Sequence, residues 1–408
     1  RARFRAPFLT CLFSAVASYH ASTQTLVWSP VKEPGVGGAA TSIAVCPADS
    51  NRIVVGGDML GPTSSDNGGS TWHDAFGLSN YECGDATWRP NSTSEVWIGT
   101  MGGPAKSTDG GRNWSIKRAG MPTPETWWGY TAPIQKVLYD PNNLSRLLAF
   151  GGSHRDWSGV DSAAKRGAVW LSTDNGDSWS QIATVGGPSG DMGANILTAT
   201  FAPGSSMVLF AVAKDQGIYK STDGGYTWTL KNNGLPTDGS AVRPDFIAVH
   251  PTNASILWVA LRGDRAVYKS TNGGDSWVFS GNGLNGGFHS WRKIAVAASN
   301  PNILYVLNSS SRQLYRSTDS GGNWSMVLHD GNIPDAPTKI GPMNWPEVDP
   351  NNANTVYVMN SVSIFKSTDG GSSWSTITAE PTGTADVWRG NGYSGYVSAA
   401  IKWNPYRP

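Results

Sequence analysis

The chain has 408 residues, enough for one large β domain or two ordinary ones, and its 31 basic and 30 acidic side chains leave a formal net charge of +1. So sparse and balanced a charge provides no electrostatic footprint for nucleic acid or for a membrane surface. The 49 glycines and 19 tryptophans point instead to many tight turns between aromatic-rich strands.

Residues 1 to about 21 read as a secretory signal peptide. Arg1, Arg3 and Arg5 precede the apolar run from Phe8 to Val16, and Ala15-Val16-Ala17 offers a small-x-small cleavage site. A disordered tail is the plainer alternative. The chain opens on Arg1 and not on Met, which leaves open that it is a fragment. Nothing later is apolar for long enough to span a bilayer. Removal of the leader would take Cys11 with it and leave Cys46 and Cys83, which the repeat register places on inner strands of adjacent units. A disulfide and a pair of buried free thiols both remain open. Acceptor sequons at Asn91, Asn113, Asn143, Asn253, Asn308 and Asn323, taken with the leader, favour a secreted eukaryotic protein.

From Ser65 onward one octapeptide organises the chain. Its clearest copy is Ser107-Thr-Asp-Gly-Gly-Arg-Asn-Trp114, and others begin at Ser65, Ser172, Ser221, Ser270, Ser317 and Ser367, each with a Trp seven positions on. The third position carries Asp109, Asp174, Asp223, Asp319 and Asp369, with Asn67 and Asn272 as amide substitutes. An Asp or Asn side chain folding back onto main-chain N–H groups, followed by glycines able to take positive φ, describes a hairpin turn. Seven copies argue for turn-making aspartates, not for seven acids.

The copies recur at intervals of about 42 to 65 residues. Within each interval stand three short β-rich runs and, after the octapeptide, a Trp-led fourth; no stretch has helical periodicity. A Pro/Asn turn joins the first two runs, as in Pro141-Asn-Asn143 and Pro251-Thr-Asn253. Four-stranded units at this period predict an all-β fold: a seven-bladed β-propeller of four-stranded antiparallel blades over residues 22–408, closed into a ring that protects its sheet edges. Leu26 to Val31 resembles an outer strand and Tyr396 to Pro405 an inner one. These two either help close the ring, or the chain is the first propeller of a longer protein.

The octapeptide resembles the Asp-box (BNR) repeat, and the resemblance covers essentially residues 44 to 405. Families with this repeat include sialidases, the xyloglucan-active hydrolases of glycoside hydrolase family 74, rhamnosyl-glucuronate lyases, sortilin-type receptors, lectins and a photosystem assembly factor, so the fold leaves the chemistry open. Topology narrows the search. The octapeptide turns should share one rim with the Pro/Asn turns, leaving the opposite face to the loops between second and third strands and to the blade-to-blade connections. Those loops carry Trp127, Trp128, Tyr130, Arg155, Trp157, His289, Trp291, Arg292 and Trp345, aromatics and cations of the kind that hold sugars; some of these Trp residues would instead pack between blades. They also carry Lys214 to Gln216, Arg262, and Arg243 with Asp245.

Resemblance to the first propeller of the family 74 enzymes implies that Asp58, in Gly57-Asp58-Met-Leu-Gly61, matches a catalytic acid of a Thr-Asp-x-Gly-Gly-x-Tyr-type motif, although the second Gly and the Tyr are missing. The other acid of that family lies in a second propeller, so a partner carboxylate would have to come from Asp156, Asp264 or Glu347. The lyase resemblance implies His154 with Arg155, or His289 with Arg292, as base and cation for β-elimination. A complete single ring fits the lyases better than the two-ring hydrolases. Sialidases fit poorly, since the nearest arginine segment, Arg5-Ala-Pro7, falls in the leader. A sugar-binding lectin is the non-enzymatic alternative. No spacing of Cys and His implies a metal and no loop a cofactor. The reading is a secreted, monomeric, cofactor-free, xyloglucanase-like hydrolase of plant-type polysaccharide with Asp58, His154 and Asp264 as candidate catalytic residues.

Overall fold

The computed structural model of this chain describes residues 40–57, 61–78, 82–122, 132–152, 167–186, 195–237, 241–263, 267–285, 291–334, 343–360, 363–377, 379–381 and 388–390. The leader, Leu26 to Val31 and Tyr396 to Pro405 lie outside the described residues. Residues 32–408 belong to one compact unit. It is a ring of seven blades, each a meander of four consecutive antiparallel strands: residues 40–74, 83–116, 134–184, 196–230, 244–279, 291–328 and 343–376. A short ribbon pairing Ala379–Pro381 with Trp388–Gly390 follows. Among the described residues there is no helix.

The second strand of each blade is the most apolar because neighbouring blades cover both of its faces. In the strand Asn253–Leu261 the five residues from Leu257 onward are buried on either side. Each core cluster spans two adjacent blades. One joins Phe210, Val212 and Ile218 of the fourth blade to Ile247, Leu257 and Val259 of the fifth, with Trp277 as its lid. Full burial of one such aliphatic side chain contributes about 1.5–3 kcal/mol, so the ring is held by the joints between blades as much as by the sheets.

The octapeptide turn is the same in all seven blades. Its Ser hydroxyl accepts from the N–H of the fifth residue, as in Gly111 N to Ser107 Oγ at 2.9 Å, and donates to the Asp, as in Ser107 Oγ to Asp109 Oδ1 at 2.8 Å. The carboxylate accepts the backbone N–H of the seventh residue, for example Thr227 N to Asp223 Oδ1 at 2.9 Å, and that residue's hydroxyl or amide at Oδ2. These donors, with the Ser hydroxyl, hold Asp174, Asp223, Asp319 and Asp369 at a pKa of about 2. Where Asn replaces Asp the last bond reverses: Asn67 Nδ2 donates to Thr71 Oγ1, and Asn272 Nδ2 to Ser276 Oγ, both at 2.8 Å. The hydroxyl accommodates this because it can accept as well as donate.

Every octapeptide turn is also tied to the turn between the first two strands of its own blade, as in Gly110 N to Ser94 O and Gly273 N to Ser255 O. The two sets of turns therefore share one rim, here called the rear, and the remaining connections make the front.

Adjacent blades are fastened at the octapeptide Trp. Trp324 donates its backbone N–H to Asn282 O and its indole N–H to Ser280 O of the preceding blade's exit segment, each at 2.8 Å. A Gly follows that first acceptor at φ near +87° in four joints: Gly77, Gly120, Gly234 and Gly283. A Cβ there would sit 2.1–2.2 Å from the Trp carbonyl oxygen, so no other residue fits. On the second strand, Trp97, Phe210, Trp258, Tyr305 and Tyr357 each lie under a cation of the third strand, 5.2–5.9 Å from the ring centre. Three of those cations run on to the next blade's octapeptide turn: Lys220 Nζ to Gly273 O, Lys269 Nζ to Ser320 O and, across the closing joint, Lys366 Nζ to Gly68 O.

The joint that closes the ring uses the same parts. Trp72 Nε1 donates to Ile377 O, and Ile43 and Val45 pack with Tyr357 and Met359. On the rear rim, Ser50 Oγ donates to Asp349 and Asn351 Nδ2 to Pro47 O, repeating the contacts of Ser206 with Asp140 and of Asn142 with Gly204 O. Both described cysteines are buried and no disulfide joins them. Cys83 starts the inner strand of its blade at the front, whereas Cys46 follows the inner strand of its own at the rear, donating its thiol to Ser92 O. The strand length between them is what keeps the bond from forming.

Candidate functional site

The innermost strands of the blades, Ala40–Val45, Cys83–Trp88, Ile134–Asp140, Ile196–Phe201, Pro244–His250, Trp291–Val296 and Met343–Val348, surround the channel. Each breaks register against its neighbour near its front end. The displaced residues are Thr41, Gly84 with Asp85, Gln135, Leu197, Asp245, Arg292 with Lys293, and Trp345. A bulge ends regular pairing and re-aims a side chain. Repeated seven times at one depth, it sets Thr41, Asp85, Gln135, Asp245, Lys293 and Trp345 near the front ends of the inner strands, whereas Leu197 packs into the core between the fourth and fifth blades. Blade contact is tight at this level, since a Cβ on Gly84 or Gly99 would lie 2.2 Å from a backbone oxygen of Gln135 or Ile134.

Below the bulges the channel encloses about 240 Å³, lined by Lys136, Thr198, Thr200, Phe246, Lys293 and Glu347 among others. Its charges are paired. Lys136 Nζ lies 3.4 Å from Asp85 Oδ2, and Lys293 Nζ donates to Glu347 Oε2 at 2.6 Å. Gln135 Nε2 reaches Asp85 Oδ1 at 3.4 Å, while Gln135 Oε1 and Thr41 Oγ1 are buried and have no hydrogen-bond partner among the described residues. Such capacity is normally filled in a protein interior.

Trp345 belongs to this channel. It is half-buried, takes φ +42° at its bulge, and meets the channel-lining Phe246 edge-on, ring centres 6.2 Å apart. Lys293 Nζ sits 5.8 Å from the Trp345 ring and 5.7 Å from that of Phe246. The aromatic read from sequence as a front-face platform is thus packed into the mouth of the ring against a cation.

A second group lies on the front between the fourth and fifth blades. Asp245, a buried carboxylate, accepts at its Oδ1 from both Arg262 Nε and Nη2, at 3.1 and 2.7 Å. Beside it, Asp215 lies 3.5 Å from Arg243 and 4.0 Å from Lys214, and Arg262 N donates to Arg243 O. The sequence picked out all five residues, and the fold brings them together.

Asp58, His154 and Asp264, and with them Trp127, Trp128, Tyr130, Arg155, Asp156, Trp157 and His289, lie outside the described residues; for Trp291 and Arg292 only the strand is described. Asp58 directly follows Gly57, the last residue of the strand Ile53–Gly57 at its front end. Sequence reading missed Asp85, Gln135, Lys136, Phe246 and Lys293. The signal was there: a charge inside an otherwise apolar inner strand, as in Ile134-Gln-Lys-Val, is out of place unless it faces a channel. Among the described residues no group of three or more His, Cys, Asp or Glu could hold a metal ion.

No protein-family model matches the chain, and no curated protein matches it in sequence. Solved structures do share its fold. An ancestral GH74 enzyme superposes with a TM-score of 0.65 at 21% identity over 88% of this chain and 50% of its own. The GH74 xyloglucanase from Xanthomonas campestris gives 0.62 at 18% identity over 84% and 55%. YCF48 from Cyanidioschyzon merolae gives 0.54 at 16% identity, over 80% of this chain and 93% of its own. The chain therefore spans about half the length of the two enzymes and the counterpart of most of the third protein.

Proposed function

We propose that this protein is a secreted, carbohydrate-active enzyme that cleaves glycosidic bonds in plant cell-wall-type polysaccharide, in the manner of a xyloglucanase. The observation that carries the reading is the circle of seven bulges. It arrays acidic, amide and cationic groups with Trp345 around one channel mouth, on the face where the long, dissimilar connections also emerge. The likeness to two GH74 enzymes in fold supports it. Exposure of Asn91, Asn143 and Asn253 is compatible with a glycosylated, secreted chain, whereas Asn308 is buried and closed to modification once folded.

In the proposed reaction Asp58 gives its proton to the glycosidic oxygen as the bond to the anomeric carbon breaks. A second carboxylate, from Asp264, Asp156 or Glu347, takes a proton from the attacking water. A separation of about 6.5–9.5 Å suits this inverting attack by water; at about 5–5.5 Å the second carboxylate would instead attack the anomeric carbon itself, and water would then hydrolyse the glycosyl-enzyme with retention. Channel cations near the mouth hold the sugar hydroxyls and, through Lys293, fix Glu347 in place.

A second reading, a propeller that binds without turnover, is favoured by one observation: the channel carboxylates Asp85 and Glu347 each face a lysine. YCF48, which the chain resembles over most of that protein's length, has been solved bound to a D1 peptide. Incubating the purified protein with xyloglucan and with gum arabic separates the cases. New reducing ends that disappear in Asp58→Asn support hydrolysis. An ultraviolet-absorbing unsaturated uronate that disappears in His154→Ala marks a lyase. Retention of a polysaccharide with neither product leaves the binding propeller.

A further inference from the structure

The sixth position of the octapeptide carries Ser70, Arg112, Asp177, Asp275, Gly322 and Ser372 in six blades and Tyr226 in the remaining one. Nothing in the turn asks for an aromatic there, because the hydrogen bonds of the fourth-blade turn run through Ser221, Asp223, Gly225 and Thr227, as in every other blade. Yet the ring is present, and it is 52% exposed. A single exposed ring is ordinary by itself; what sets Tyr226 apart is the company it keeps.

Tyr226 forms one wall of a cleft of about 450 Å³ on the outer side of the ring, away from the channel. Tyr219, from the third strand of the same blade, and Trp228 form the rest of that side. Trp228 is half-buried where the octapeptide tryptophans of five other blades are buried. It is fixed in place by Phe150, edge-on with ring centres 6.0 Å apart, and by its own N–H to Gly225 O. The facing wall is Ala183 and Thr184, at the end of the outer strand Ser180–Thr184, which runs longer than the outer strand of any other blade. Thus the third blade supplies an extended edge where the fourth supplies its exposed aromatics.

Among the described residues the lining holds three aromatic faces, two phenol hydroxyls, the hydroxyls of Thr184 and Thr227, and no charged side chain. The Tyr219 hydroxyl already donates to Gln216 Oε1, which leaves its oxygen free to accept. The volume falls in the range of small-ligand sites. A neutral ligand with C–H faces for the rings and hydroxyls for the rim matches that chemistry. Among the described lining residues an anion would find no cation, and a purely apolar ligand would strand the hydroxyls.

The geometry points to a second carbohydrate site, a cleft between the third and fourth blades that grips one stretch of a neutral polysaccharide while the channel mouth works on another. This inference rests on the reading that the chain handles polysaccharide, and it adds a function for a surface remote from the reaction. Such a site raises the residence of the protein on a long chain without touching a reacting atom, through the effective concentration gained by two-point attachment.

The test is electrophoretic retardation of the full chain in native gels containing soluble xyloglucan, with polygalacturonate as the anionic control. Retardation by xyloglucan and not by polygalacturonate, weakened about tenfold in Tyr226→Ala, is the expected result. Tyr226→Phe should retain most of it. Xyloglucan retardation unchanged in Tyr226→Ala, its complete absence in the wild type, or equal retardation by polygalacturonate overturns the inference. Since retardation is read without turnover, a protein that shows Tyr226-dependent retention but cleaves nothing keeps the cleft and loses only the hydrolase.

Discussion

Replacement of Gly283 by Ala should weaken the ring at one joint, and the size of the loss can be worked from its surroundings. Gly283 has φ +87°, a conformation that costs a residue with a Cβ about 1–2 kcal/mol. The new methyl would lie 2.2 Å from Trp324 O, less than any real contact, so Trp324 must move. Movement loosens two bonds, Trp324 N to Asn282 O and Trp324 Nε1 to Ser280 O, both 2.8 Å. Each contributes about 0.5–1.5 kcal/mol. The expected loss is therefore about 2–5 kcal/mol. Gly204→Ala is the matched control, because Gly204 also has positive φ, +67°, but a Cβ there would meet nothing within 4 Å. It should cost only the conformational term. Urea unfolding followed by tryptophan emission would compare the midpoints, and the fifth–sixth joint should fail first in hydrogen exchange of the Gly283 variant. Equal midpoints for the two variants would refute the claim that the clip, and not glycine's flexibility, is what the position requires.

Acid should unfold the protein late. The carboxyls of Asp174, Asp223, Asp319 and Asp369 titrate near 2 in the fold, below the ordinary value for Asp, so their contribution is fully present above about pH 4 and is lost as pH falls through 2. Melting temperature against pH should be flat from neutrality to about pH 4.5 and then fall. Changing those four to Asn, as Asn67 and Asn272 already are, should flatten the fall. Lys293→Met should destabilise by about 1–3 kcal/mol, since the half-buried Glu347 would lose its lysine, and the double variant with Glu347→Gln should recover part of the loss. In a Cys11→Ser background, neither Cys46 nor Cys83 should react with a thiol reagent until the protein is unfolded. Both are buried, and burial pushes the Cys46 thiol up from its ordinary value. Rapid native labelling of either would contradict their placement.

What could be read from the amino-acid order follows from how local each feature is. The octapeptide turn is closed within seven residues by Ser107, Asp109, Gly111 and Asn113, so its chemistry is written in one place and repeats visibly. The blade count and the shared rim follow from it. The channel bulges are different. Thr41, Gln135, Leu197, Asp245 and Trp345 occupy equivalent bulges and have nothing in common as residue types, because a bulge is defined by the strand opposite. Trp345 shows the consequence: its place beside Phe246 depends on a blade a hundred residues away. The glycine clips lay between these extremes. Gly77, Gly120, Gly234 and Gly283 stand before Leu or Met at the same point of their units, a periodic sign overshadowed by the louder octapeptide.

Among the described residues, the joint between the seventh and first blades is made of the same indole, serine, asparagine and aspartate contacts as an interior one. Blade order around the circle is cyclic in the chemical sense, even though the polypeptide is linear. Splicing the chain anew at another front connection would preserve all seven interfaces. The blade is thereby the module that gene duplication can copy whole, with the front loops left to diverge one by one.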